Sequence, residues 1–242
     1  MKYLALALIP LAAAGAFAAE RDKGPGLPGQ RDGNALVYAA RGFDTVSLGG
    51  AARVLVHTGP AFSVRAEGPA GAFANFRVAV KDRTLEVGRR YEGRSQYKLE
   101  DRIVVHVTLP ALAGASVGGS GSVTADRAGG ARFAGAVGGS GSLRIARLDA
   151  QKAELSIGGS GEIAAAGNVR ALEANVGGSG RIVAPGLRAT SAEVSVGGSG
   201  SVRALVAGPA EVSMAGSGTV DLGPQARCEV SKIGSGTVRC GR

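Results

Sequence analysis

Short runs of alternating apolar and polar residues fill the chain between residues 34 and 110. Six such runs are separated by Gly, Pro and charged residues: 45–48, 53–56, 62–66, 76–80, 84–87 and 103–107. Successive side chains of a β-strand point to opposite faces, so a period of two predicts strands that are buried on one face. No segment has an apolar period typical of a helix. The pattern predicts an all-β protein with an N-terminal strand region over residues 34–110.

A second pattern begins near residue 111, where a motif of the form V-G-G-S-G-x-V recurs at intervals of 18 to 20 residues. A fixed period of this length is typical of a solenoid in which each repeat is one coil that stacks on its neighbours. We therefore predict a parallel β-helix of two sheets with about seven G-G-S-G-turn coils over residues 111–242, continuous with residues 34–110 as one domain. The motif serines are predicted to be structural turn residues: Ser120, Ser140, Ser160, Ser179, Ser199, Ser217 and Ser235.

Two polar columns precede these serines and are predicted to face outward. The column six residues before the serine contains Glu154, Glu173, Glu193, Glu211 and Glu229. The column four residues before it contains Ser156, Asn175, Ser195, Ser213 and Ser231. Unit charges stacked ~5 Å apart in water repel by about 0.8 kcal/mol, unless Arg and Lys in neighbouring columns or spreading into solvent offset the repulsion. We hypothesise that the two columns form a flat face that binds divalent cations or a periodic partner.

Two cysteines occupy inward positions on opposite strands of the last coil. Cys228 and Cys240 are the only cysteines of the chain. Exported proteins commonly form disulfides. We therefore predict a Cys228–Cys240 bridge that staples the two sheets at the end of the core, which requires their Cα atoms to lie within roughly 7 Å.

The N-terminus predicts export. Lys2 precedes an apolar run over residues 4–14, and Ala16-Phe17-Ala18 resembles a cleavage site, so residues 1–18 are predicted to be a signal peptide. Residues 19–33 are polar and rich in Gly and Pro, which predicts a flexible leader. No later run approaches the ~20 apolar residues of a transmembrane helix. We expect a periplasmic, extracellular or cell-surface location without a transmembrane segment.

Composition limits the partners. The chain has 28 Lys and Arg against 19 Asp and Glu, a formal net charge of +9. Clustered basic residues bind nucleic acid, but here acidic residues are interspersed among them, so no nucleic-acid partner is expected. Envelope or extracellular polysaccharide, another protein, or a second copy of the chain are the expected partners.

Candidate catalytic patterns are weak. The motif serines lack the G-x-S-x-G sequence of a nucleophile elbow, and the turns lack the Asp of calcium-binding nonapeptide repeats. Five equivalent glutamates single out no pair of acid and base. We expect no catalytic residues, no cofactor and no metal. A polysaccharide lyase or hydrolase on the same scaffold remains an alternative, and a divalent-cation-binding envelope module is a second.

The sequence resembles a known bacterial family. The segments that carry the resemblance are 41–46 (Arg-Gly-Phe-Asp-Thr-Val), 54–59, 84–87 and 107–110, followed by the G-G-S-G repeats. Over roughly residues 36–240 they are similar to the family called putative auto-transporter adhesin, head GIN domain. The resemblance implies an exported superhelix of two β-sheets, similar in outline to pectin-lyase-like folds, with an adhesive role and no established catalytic residues.

Overall fold

The computed structural model describes residues 24–90 and 99–241. The predicted signal peptide, residues 1–18, and residues 19–23 of the predicted leader lie outside the described residues. The chain is nearly all β and forms a parallel solenoid of about six turns, which confirms the predicted fold class. The sequence predicted about seven coils, but seven motif serines delimit only six complete intervals.

The N-terminal strand region extends both sheets of the solenoid. Its strands are β1 (Gly29–Asp32), β2 (Ala35–Tyr38), β3 (Thr45–Leu48), β4 (Arg53–Thr58), β5 (Ser63–Glu67), β6 (Phe76–Lys81), β7 (Thr84–Arg89) and β8 (Val104–Leu109), with 3₁₀ turns at Ala70–Phe73 and Glu100–Arg102. Strands β3 and β4 pair in parallel with the first repeat strands. Antiparallel strands end both sheets at this side of the molecule. Gly29–Asp32, placed by the sequence in a flexible leader, form β1 and pair with β2.

The repeats form the remaining strands. These are β9 (Gly114–Val117), β10 (Ser122–Val137), β11 (Ser142–Gly159), β12 (Glu162–Gly178), β13 (Arg181–Gly198), β14 (Ser201–Val206), β15 (Pro209–Gly216), β16 (Thr219–Asp221), β17 (Arg227–Ile233) and β18 (Thr237–Arg239). Strands β10 to β13 each run without interruption from one G-G-S-G turn to the next, because hydrogen bonding to the neighbouring coil continues around the corner. The residue types at Gly129-Gly130, Gly167-Asn168 and Pro185-Gly186 predict turns, but these pairs lie within strands β10, β12 and β13.

Two sheets face each other across the core. Sheet I contains β4, β8, the first halves of β10 to β13, and then β14, β16 and β18. Sheet II contains β3, β9, the second halves of β10 to β13, and then β15 and β17. Strands within each sheet of the repeats are parallel, so equivalent residues of successive coils stack about 4.8 Å apart.

The core is one continuous apolar cluster along the whole solenoid. In the repeats it is built from Val, Leu, Ile and Ala columns, and Phe133 is the only aromatic residue among them and is fully buried. Aromatic side chains are concentrated at the N-terminal end, where Phe43 and Phe62 lie 5.0 Å apart between ring centroids and Tyr38 and Phe76 lie 6.4 Å apart. Small side chains suit a narrow core, because each coil contributes only one thin layer.

Close stacking explains the glycines of the motif. Ser160 donates its backbone N–H to the Gly139 carbonyl of the preceding coil at 3.0 Å. Gly159 has a φ of +139°, and a Cβ on it would lie 2.7 Å from the same carbonyl oxygen. A Cβ on Gly161 would lie 2.5 Å from Val137 Cγ1, whereas one on Gly158 would meet nothing within 4 Å. The second and third glycines are therefore required by packing, and the first is not.

The predicted disulfide is confirmed. Cys228 in β17 is bonded to Cys240, directly after β18, and their Cα atoms lie 6.2 Å apart. Both side chains are half-buried and pack against the end of the core. The bridge therefore joins sheet II to sheet I at the C-terminal coil.

None of the helical segments in residues 24–90 and 99–241 is long and apolar enough to cross a membrane.

Candidate functional site

The glutamate column lies on the outer face of sheet II. Each glutamate stacks directly on the next, from Glu154 through Glu173, Glu193 and Glu211 to Glu229. Their neighbours along each strand are core residues such as Leu155, Ala174 and Val194, which are fully buried. The alternation of the strands thus holds five carboxylates in one outward row, one per coil.

The second polar column runs parallel to the first. Ser156, Asn175, Ser195, Ser213 and Ser231 stack in the same register. Asn175 Nδ2 donates a hydrogen bond to Glu173 Oε1 at 3.2 Å, so the two columns are in contact. Ala136 interrupts the column, and beyond it Ser116 and Ser47 stack in the same column and hydrogen-bond through their hydroxyls at 2.9 Å. We call these two columns together the glutamate face.

Cations neutralise the first two glutamates. Lys152 Nζ lies 2.8 Å from Glu154 Oε1 and 2.8 Å from Glu173 Oε2, and so bridges two coils. Arg132 adds a hydrogen bond to Glu154 Oε2 at 2.7 Å. Partial burial raises the pKa of Glu154, but the hydrogen bonds from Arg132 and Lys152 outweigh it and hold that pKa below its usual value. The hydrogen bonds that Lys152 donates to Glu154 and Glu173 raise its own pKa.

The last three glutamates have no such partners. Within the described part of the chain, no hydrogen bond or ion pair is formed by the side chains of Glu193, Glu211 or Glu229. All three are exposed. Adjacent carboxylates at this spacing repel by roughly 0.8 kcal/mol in water before salt screening. The glutamate face is therefore neutralised at one end and anionic at the other.

A shallow depression of about 460 Å³ runs beside the glutamates. Ala171, Ser191 and Pro209 line it together with Glu173, Glu193, Glu211 and Glu229. Lys152 and Arg227 occupy the coils at its two ends, in the same column as the small residues. Four coil spacings separate these two cations, which is about 19 Å. The depression is a short groove with a small-residue floor and a carboxylate wall.

This floor column was missed in the sequence. It lies eight residues before the motif serine and contains Arg132, Lys152, Ala171, Ser191, Pro209 and Arg227. Aligning the repeats on that offset would have shown small residues between basic ends.

The motif serines lie away from this groove. All seven are exposed and stack along the turn edge of the solenoid. The backbone amides of the first six bond to glycine carbonyls of the preceding coil, and the Ser217 and Ser235 hydroxyls lie 3.0 Å apart. Their positions fit the role of turn residues that the sequence predicted.

Across residues 24–90 and 99–241, no group of three or more His, Cys, Asp or Glu side chains is arranged to hold a metal ion. Cation binding by the glutamate face stays a prediction.

Solved structures share this architecture. A putative adhesin from Bacteroides fragilis has a TM-score of 0.76 and 23% identity, covering 85% of this chain and 95% of its own. A putative lipid binding protein from Parabacteroides distasonis has a TM-score of 0.64 and 19% identity, with coverage of 87% and 98%. A putative adhesin from Parabacteroides merdae has a TM-score of 0.67 and 18% identity, with coverage of 86% and 95%. At these identities the likeness shows the fold alone.

Comparison with curated protein sequences gives no match. A family model does match, over residues 42–226, which is most of the chain and extends from β3 to β16. The chain belongs to the family described as putative auto-transporter adhesin, head GIN domain.

Proposed function

We propose that this protein is an exported, non-enzymatic adhesion module of the periplasm or cell surface, and that its glutamate face binds an extended partner. The description of its family and of two similar solved structures as adhesins supports the adhesive role. One observation carries the choice of surface. Glu193, Glu211 and Glu229 stack in register along the groove without a described cation partner.

The periodicity of the face suits a linear partner. A polymer lying along the solenoid would meet one carboxylate and one hydroxyl or amide at each of the five coils from Glu154 to Glu229, so weak contacts would add through a high effective concentration. Unpaired carboxylates attract ammonium and guanidinium groups. The face has no aromatic side chain on which a sugar ring could stack. These features favour a Lys- or Arg-rich protein segment over a polysaccharide.

Binding of defined polymers tests the proposal. The purified protein is immobilised and exposed to polylysine and polyarginine peptides, to an amino-sugar polysaccharide and to neutral and acidic polysaccharides, with and without calcium. Each polysaccharide is also assayed for new reducing ends. We expect binding of the basic peptides, no cleavage of any polymer, and weakening by salt, because exposed charges are screened within about 8 Å at physiological ionic strength.

A triple variant connects binding to the face. Glu193→Gln, Glu211→Gln and Glu229→Gln together should abolish peptide binding. The matched control removes three carboxylates elsewhere, by Asp149→Asn, Glu162→Gln and Asp221→Asn, and should bind like the wild type. Equal affinity of all three proteins would contradict the assignment of the face. Cleavage of a polysaccharide would overturn the non-enzymatic role, and binding that requires calcium would favour the cation hypothesis.

A further inference from the structure

The last coil that the structure describes is formed by β17 and β18 and leaves one edge of each sheet open. Among the described residues, β17 pairs only with β15 and β18 only with β16. Val194, Val212 and Val230 stack in one inward column, and the first two are fully buried while Val230 is 45% exposed. Ile233, at the end of β17 and on the outer face of that strand, is 77% exposed. The end thus combines unpaired strand edges with exposed apolar side chains, which is the usual template for adding another strand.

The opposite end differs. Sheet I finishes there in the antiparallel strands β5, β2 and β1, and sheet II in the antiparallel strand β6. Leu27, ahead of β1, donates its backbone N–H to the Val78 carbonyl of β6 at 2.7 Å. Parallel edges in both sheets therefore occur together only at the C-terminal coil among the residues that the structure describes.

A second copy of this chain fits such an end by symmetry. A two-fold axis perpendicular to both sheets would place β17 against β17 and β18 against β18, and would join the two cores. Only a partner with two strand edges at the same separation can pair with both sheets at once, and another copy has them. Interfaces of this self-complementary kind are the commonest in homodimers.

One residue opposes this stacking. The inward column that contains Val137, Ile157, Val176, Val196 and Met214 ends in Lys232. The preceding members are buried, whereas Lys232 is exposed and its Nζ donates to the Gly236 carbonyl at 2.9 Å. Stacking would bury this ammonium group above Met214. The other inward residues of the coil are Cys228, Val230, Val238 and Cys240, so no carboxylate in the coil's inward columns could pair with it.

We propose that Lys232 is a charged stop, which prevents a second copy of this chain from adding to the C-terminal coil. Burying an ammonium group that has no carboxylate partner costs more free energy than is gained by burying the exposed part of the Val230 side chain. Inward charges are one way in which β-proteins block edge-to-edge association. Without this charge, the open end formed by β17 and β18 would act as a dimer interface.

The test replaces Lys232 with the residues that precede it in the column. Lys232→Val and Lys232→Met should self-associate, with a dissociation constant at least about tenfold below that of the wild type. Sedimentation velocity over a concentration series measures this. Arg203→Val is the matched control: it removes one positive charge and adds one valine on the outer face of sheet I, where Val183 already stacks beside it. It should remain like the wild type, as should Lys232→Arg.

A second-site change identifies the surface. Val230→Lys in the Lys232→Val background returns a charge to the same end and should restore the wild-type association state. Circular dichroism and a thiol assay of the Cys228–Cys240 bridge confirm that each variant is folded. Wild-type protein that already dimerises through β17, or folded Lys232→Val and Lys232→Met proteins that associate no more than the wild type, would overturn the proposal.

Discussion

At the scale of single residues, the surroundings of a side chain separate positions that the repeat makes equivalent. Glu154 and Glu193 occupy the same column, but Glu154 is held by Lys152 and Arg132 while Glu193 has no ion pair among the described residues. The first contributes to stability through its charge, and the second is repelled by its stacked neighbours. The same residue type thus stabilises the fold at one coil and leaves charge available at another.

Glu154→Gln should therefore lower the free energy of unfolding at pH 7 by about 0.5–1 kcal/mol, since it removes partly exposed ion pairs. The folded state lowers the pKa of Glu154 below its ordinary value of 4.5. Its stabilisation is thus fully present above the ordinary pKa and is lost as the pH falls through the folded pKa. The difference between variant and wild type should vanish in acid. Urea unfolding at a series of pH values measures it.

Glu193→Gln is the control, because no cation contact is removed. It should be neutral or slightly stabilising at pH 7, since it relieves repulsion from Glu173 and Glu211. Equal destabilisation by both substitutions would show that the cation contacts of Glu154 contribute nothing.

At the scale of the elements, the short distance between coils decides which residues of the G-G-S-G turn must be glycine. Its glycines differ in what they must avoid: Gly159 and Gly161 face the backbone and core of the previous coil, and Gly158 faces open space. Ala215 and Ile233 replace the first glycine in the last two coils, where nothing prevents a side chain. The motif therefore contains two obligatory glycines, on either side of the serine.

Gly159→Ala should destabilise the protein by about 2 kcal/mol or more, because it adds a Cβ at a positive φ against a carbonyl oxygen. Gly158→Ala should change stability by less than about 0.5 kcal/mol. Thermal unfolding of the two variants compares the midpoints for the same Gly→Ala substitution at two adjacent residues. If both lower the midpoint alike, the steric explanation of the motif is wrong.

The sequence predicted the strands and their stacking into a solenoid better than it predicted the surface. The serine period and the Val, Leu and Ile columns determine strand register, since a shift by one residue would expose the core, and so the solenoid and the cysteine pair could be predicted. The secondary structure at the corners between the two sheets could not be predicted. Gly129 and Gly167 resemble turn residues, yet hydrogen bonds to the neighbouring coil keep them within strands. Nor could the division of the glutamate face be predicted, because it depends on which coils have Lys152 or Arg132 within reach.

At the scale of the whole molecule, each coil contacts only its neighbours, so stability is distributed along one axis. The C-terminal coil has a single neighbour among the described residues and would open first, except that Cys228 and Cys240 join its two strands. The disulfide therefore acts where the core is least covered.

Replacing both cysteines with serine should lower the free energy of unfolding by about 3 kcal/mol on the chain-entropy model for a closed loop of this size. The sequence separation of 12 residues sets that loop. Thermal unfolding measures the loss, and hydrogen exchange should be faster across residues 227–239 than in the central coils. Wild-type protein treated with a reductant should behave like the double variant. An unchanged exchange rate in the last coil would contradict this role.

The direction of the inter-coil hydrogen bonds has a mechanical consequence. They run along the solenoid axis, so a tensile force on the C-terminus peels coils from the end one after another instead of shearing all of them together. Each coil of 18 to 20 residues would release about 65 Å of chain at ~3.4 Å per residue. The disulfide transmits force from Cys240 directly to Cys228, so the residues between them stay closed. A solenoid pulled in this direction would yield in regular steps and dissipate load gradually.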